Sequence, residues 1–141
     1  MKSGFDYREY KKWAESFGTV EKEFRKWLEN FLLEEAQRVY DKAVTKQQTY
    51  SYTNSKGERK IGLIDTGTMI KSWYIKDVQW IGNSLQVEIG NNADYASYIE
   101  YGHHSFKGVF ILTVAINDIQ KQLPARFNQA WFKLLKSKGV V

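Results

Sequence analysis

The chain has 141 residues, 43% hydrophobic and 26% charged, with no cysteine and a formal net charge of +5. That size and composition predict one folded domain over residues 1–141 rather than a disordered chain, while the lack of thiols excludes disulfides, cysteine-ligated zinc and thiol catalysis. No apolar run approaches the roughly 18 residues of a membrane span, and no N-terminal stretch reads as a secretion signal, so a soluble intracellular protein is expected.

Lys and Arg are interleaved with Asp and Glu, which makes net charge a weak pointer to nucleic acid. Five Trp, nine Tyr and eight Phe are more than one small core encloses, so some aromatic rings are expected to meet a partner.

In chain order, residues 7–17 predict a short helix ending at Gly18. From Thr19 to about Lys46, Phe24, Trp27, Leu28, Phe31, Leu32, Ala36, Val39 and Ala43 recur at three- and four-residue steps. This spacing predicts a long amphipathic helix with Thr19 as its N-cap. Residues 47–62 are polar and turn around Asn54 to Gly57, reading as a flexible loop or a hairpin excursion. The loop is favoured, because two strands with so few apolar residues are marginal in water.

Asp65 is placed to cap a helical turn and Gly67 to allow a sharp bend. Ser72 to Ile81 predicts a strand with Trp73 and Ile75 on one face and Tyr74, Val78 and Trp80 on the other. After a turn at Gly82, Asn83 and Ser84, the alternation of Leu85, Val87 and Ile89 predicts an antiparallel partner whose apolar face covers the long helix. Asp94 is the expected cap of a short helix through Ala96 to Tyr101, ended by Gly102. A second long helix runs from about Phe110 to Ser137, with Pro124 expected to kink or divide it. The predicted fold class is α+β: two long amphipathic helices packed on a small antiparallel sheet or hairpin, with short extra helices and a protruding loop.

Little of this reads as chemistry. His103 and His104 are the only histidines and lack a third ligand, so no metal is expected. Asp65, Asp94 and Glu100 each sit where a cap or a surface contact explains them. The common hydrolase, nucleotide and protease signatures are missing, and the glycines around Asp65-Thr66 lack the lysine of a phosphate loop. We therefore expect no enzyme and no cofactor. Tyr95, Tyr98 and Tyr101, at three-residue steps, share one side of a short helix and suit an interface as well as internal packing. With Glu100, His103, His104 and the loop cations Lys56, Arg59 and Lys60, they form the candidate assembly surface. Asp65, Thr66, Gly67 and Gly102 are assigned to the frame.

Asp65-Thr66-Gly67 with Ser72-Trp73, then Val87 and Ile89 before Asn91-Asn92, then Tyr95-Ala96 and the block Tyr98 to His103 resemble the tail-component family of tailed bacteriophages. These are small neck proteins called head-tail joining, tail-completion or minor tail proteins. The segment Phe110 to Ile119 is similar to the start of the last helix in members from contractile-tailed phages, prophages and tail-like bacteriocins. Two departures are Leu63-Ile64, where members often carry proline, and a longer connection over residues 47–62.

The resemblance implies a structural protein without catalytic residues. It implies a ring, as a hexamer or dodecamer, that joins connector and tail-tube proteins with DNA passing through its lumen. It also implies assembly in the bacterial host cytoplasm, then residence in a virion or tail-like particle, with no membrane partner. A tail terminator capping the tube is the alternative in the same particle. A small nucleic-acid-binding protein is the alternative of another class.

Overall fold

The structure, a computed structural model, describes residues 2–6, 21–62, 68–103 and 106–141. Asp65, Thr66, Gly67 and His104 lie outside the described residues, as do the Thr19 cap and the short helix expected over residues 7–17. The elements in order are β1 (Lys2–Asp6), α1 (Glu21–Thr49), β2 (Ser51–Thr53), β3 (Arg59–Ile61), α2 (Thr68–Lys71), β4 (Trp73–Ile75), β5 (Gln79–Ile81), β6 (Ser84–Asn91), α3 (Ala96–Tyr101), β7 (Gly102–His103), β8 (Phe106–Lys107) and α4 (Ile111–Ser137). The α+β class holds, with two long helices against a small antiparallel sheet.

The apolar stripes of α1 and α4 face each other. Phe24, Trp27 and Phe31 of α1 mesh with Phe127 and Trp131 of α4, with centroids from 4.9 Å (Phe24 to Trp131) to 5.7 Å (Trp27 to Trp131) between the helices. Tilted and edge-on geometries dominate across the seam, as the quadrupoles of aromatic rings favour. Ion pairs Glu23–Lys138, Glu35–Arg126 and Lys42–Asp118 flank it and fix an antiparallel register. Pro124 lies inside α4 without dividing it. It has no N–H to give the Gln120 carbonyl, and two residues on Arg126 reaches back so that Nη2 donates to the Ile119 carbonyl at 2.9 Å.

β6 is the centre of the sheet. Leu85, Val87 and Ile89 are buried against α1 as their alternation predicts. One edge of β6 pairs with β1, in register from Lys2↔Glu88 to Asp6↔Ser84. The other pairs with β4 and then β5, so the strand expected over Ser72 to Ile81 is two pieces rather than one. Between them the Lys76 N–H still donates to the Glu88 carbonyl at 2.9 Å. The β5–β6 turn is the two residues Gly82 and Asn83, with positive φ at Gly82, as a hairpin of opposite-handed turn type requires at its first position.

Side-chain bonds, one buried and one part-buried, tie the sheet to α1. Trp73 Nε1 donates to Gln47 Oε1 at 2.6 Å, and Trp80 Nε1 to Glu29 Oε1 at 2.8 Å, with the Arg25 guanidinium over the Trp80 ring.

Two local expectations need correction. Residues 51–61 form a hairpin rather than a loop, beginning where α1 ends at Thr49. Its turn is held by Asn54, whose Oδ1 accepts from the backbone N–H of Lys56 and of Glu58, an Asx arrangement that offsets the shortage of apolar residues. Asp94 does not cap α3, whose N-cap position is Tyr95 without a side-chain bond. Asn91 organises that approach instead, accepting from the Ala93 N–H and donating to the Met69 carbonyl.

Candidate functional site

The tyrosine-bearing helix α3 and the start of α4 form one corner. The Val109 N–H donates to the Ile99 carbonyl and the Phe110 N–H to the Glu100 carbonyl, so the chain entering α4 lies directly on α3. Gly108 makes this approach possible, since a Cβ there would sit 2.5 Å from the Glu100 carbonyl oxygen and 2.6 Å from the Tyr101 carbonyl carbon. Gly102 turns the chain with φ of +91°. Phe110 takes a left-handed backbone, the one described non-glycine residue with positive φ, a conformation uncommon for a bulky side chain.

Phe110 occupies the N-cap position of α4 but offers no side-chain acceptor. Glu100 fills that need from α3. Its carboxylate accepts from the backbone N–H of Leu112 at 2.9 Å, the N–H of Thr113 at 2.8 Å and the Thr113 hydroxyl at 2.7 Å. A carboxylate at this position also meets the positive end of the helix dipole. Glu100 is therefore buried and faces inward.

The three tyrosines divide. Tyr95 is half-buried, and its hydroxyl is enclosed without a hydrogen-bond partner among the described residues. Tyr98 and Tyr101 are 48% and 61% exposed. Phe110, 43% exposed, meets the Tyr101 ring edge-on at 6.3 Å between centroids. Sequence reasoning used Phe110 only to mark the start of the second long helix and did not single it out as a surface residue. His103 stands in β7, opposite Phe106.

Lys56, Arg59 and Lys60 belong to the β2–β3 hairpin and are exposed. Among the described residues none of them bonds to the α3–α4 corner; Lys60 pairs with Glu58 at 3.2 Å. The hairpin also exposes Tyr52 and, at 72%, Ile61.

The perturbed ionisable groups sit elsewhere. On the sheet, Lys76 lies 2.8 Å from Glu88, and its hydrogen bond holds the Glu88 carboxyl below the usual carboxylate range. The same bond raises Lys76, and burial first, then Glu88, raises the Tyr74 phenol. These are the shifts of a structural ion pair. Among the described residues no three of His, Asp and Glu come together to hold a metal ion.

The fold and the corner define a small α+β module whose outward chemistry at α3 and α4 is aromatic and whose acid is consumed as an internal cap. The family model described as "Bacteriophage HK97-gp10, putative tail-component" matches residues 11–102 of the 141, and the chain belongs to this family of phage tail components. The match begins after β1, runs through α1, strands β2 to β6 and α3, and stops at Gly102, before β8 and α4. A search of curated proteins and a search of solved structures gave no match. No helix among the described residues is long and apolar enough to cross a membrane.

Proposed function

We propose that this chain is a non-catalytic structural part of a phage or tail-like particle, assembling as a ring at the head-tail joint. The observation that carries this reading is the exposed cluster of Tyr98, Tyr101 and Phe110 on a corner fixed by Gly108 and Glu100. Rigid aromatic rings on a fixed backbone give contact area at little entropic cost, which is what an assembly surface needs.

A head-to-tail ring needs two unlike surfaces on each subunit. The corner is one, and the β2–β3 hairpin with Tyr52, Ile61, Lys56, Arg59 and Lys60 is the other, reaching a neighbouring subunit or the lumen. In this reading His103 and His104 lie beside the corner contact, while Asp65, Thr66 and Gly67 shape the frame. The ring, a hexamer or dodecamer, assembles in the host cytoplasm with connector and tail-tube proteins as its other partners. A terminator capping the tube would use the same two surfaces.

The test is the mass of the assembled species and the yield of joined particles for Tyr98→Ala/Tyr101→Ala and for a deletion of residues 51–60. Loss of assembly with retained folding is expected for each. Normal joining by the tyrosine variant sinks the corner as an interface, and normal joining by the deletion sinks the hairpin.

A further inference from the structure

The charge of this chain is interleaved only as far as Asp118. Residues 1–118 hold 16 Lys or Arg and all 16 acids, so they are formally neutral. The other five of the 21 basic residues follow Asp118 with no acid among them, and they account for the whole +5. Two of the five are committed to α1, Arg126 to Glu35 and Lys138 to Glu23. Lys121, Lys133 and Lys136 are exposed on α4, and no acid lies within ion-pair distance of them among the described residues.

At 3.6 residues per turn these three fall within about a third of the helix circumference and span roughly 22 Å along it. The same strip exposes the amides of Gln122 and Gln129 and one large apolar ring, Phe132. Favourable placement near the helix C-terminus accounts for Lys133 and Lys136 but not for Lys121, which sits in mid-helix.

We infer that the outer face of α4 binds the sugar-phosphate backbone of nucleic acid without regard to sequence. Lysine ammonium groups act as point charges toward a uniform polyanion, and side-chain amides donate to phosphate oxygens. An acidic protein partner would need an apolar centre to the contact, and this strip offers a single ring. The hairpin cations Lys56, Arg59 and Lys60 are a poorer platform, because Lys60 is already paired with Glu58. The inference goes beyond the ring reading and stands on α4, outside the family-matched segment.

The experiment is fluorescence anisotropy of the full chain with a labelled random-sequence DNA duplex across a salt series. Three phosphate contacts predict a log–log salt slope of about −2.7 per bound chain, a loss of about 40-fold between 50 and 200 mM salt. Lys121→Gln/Lys133→Gln/Lys136→Gln, with an unchanged melting curve, should weaken binding at the lowest salt by at least about tenfold and flatten the slope, while the triple Lys→Arg variant keeps both.

The inference is overturned if the chain does not bind at low salt, if the Gln variant keeps the wild-type slope, or if Lys56→Gln/Arg59→Gln/Lys60→Gln abolishes binding in its place. Displacement of the DNA by poly-glutamate at equal charge concentration overturns it in favour of an acidic protein partner. Because assembly is read by mass, failed DNA binding with intact rings removes this inference alone, and DNA binding without rings removes only the ring.

Discussion

Arg126 grips Glu35 with both its Nε and Nη2, at 2.6 to 2.9 Å, across the seam between α4 and α1. Glu35 is 4% exposed, and Arg38 adds a fourth cation-borne hydrogen bond to it at 3.1 Å. Without Arg126 the buried Glu35 carboxylate keeps only the bond from the exposed Arg38, and breaking a buried pair from one side is strongly destabilising. Arg126→Met should therefore lower unfolding free energy by about 3 kcal/mol in urea titration. Adding Glu35→Met should recover most of the loss, because an apolar pair of similar volume is often neutral at such a site. Additive losses in the double variant would show that the pair is not the source.

Glu100 should behave as a cap and not as a surface contact. Glu100→Ala leaves the Leu112 and Thr113 N–H groups without their acceptor, which costs about 2 kcal/mol for a buried donor pair. Glu100→Gln keeps one acceptor and should cost about 1 kcal/mol. Thermal unfolding followed by circular dichroism checks the order, and equal stability of all three proteins would remove the capping role.

Two glycines should differ in their tolerance of a methyl group. At Gly108 the new Cβ meets only backbone, while at Gly90 it meets the Tyr74 hydroxyl at 2.5 Å, the end of a side chain that can swing away. Gly108→Ala is expected to cost about 3 kcal/mol and Gly90→Ala about 1, with the Tyr74–Glu88 hydrogen bond lost in the latter. Denaturation midpoints decide it; a milder effect at Gly108 than at Gly90 contradicts the packing described for the corner.

The Lys76–Glu88 pair sets a pH dependence of known sign. The Glu88 carboxyl is lowered, so its contribution is present above the unfolded carboxyl's pKa and is lost as pH falls through the folded one. Lys76 is raised, so its contribution is present below the ordinary ammonium pKa and is lost as pH rises through the raised one. An NMR titration of the side-chain carboxyls should place Glu88 below the range of unstructured peptides, and Lys76→Ala should move it up. The same holds for Glu23, lowered by its bond to Lys138, on Lys138→Ala. No movement in either variant would refute the assigned cause.

The long-period features of this fold were legible because burial imposes them on the sequence. Phe24 through Ala43 and Ile111 through Leu135 repeat at helical steps, and Leu85, Val87 and Ile89 alternate, since each faces one contiguous core. β1 was not legible: Lys2–Asp6 carries one large apolar residue and is a strand only because β6 has a free edge for it. The partners of Gln47, Glu35 and Glu100 lie 26, 91 and 12 residues away, so no local pattern announces them. Of the candidate surface, helical spacing grouped Tyr95, Tyr98 and Tyr101 on one side without separating the half-buried Tyr95 from the exposed pair, and Phe110 depended on a left-handed residue that apolar periodicity hides. The basic face of α4 had a plain sequence signal in the absence of any acid after Asp118, lost when charge is averaged over the whole chain.

The pairing of β1 with β6 has a consequence for biosynthesis. Lys2 meets Glu88, so β1 has no partner until synthesis has passed through β6. β1 must wait for a partner synthesised much later, and long-range strand pairing is the slow part of folding. Among the described elements, the first to be made is thus one of the last to be seated.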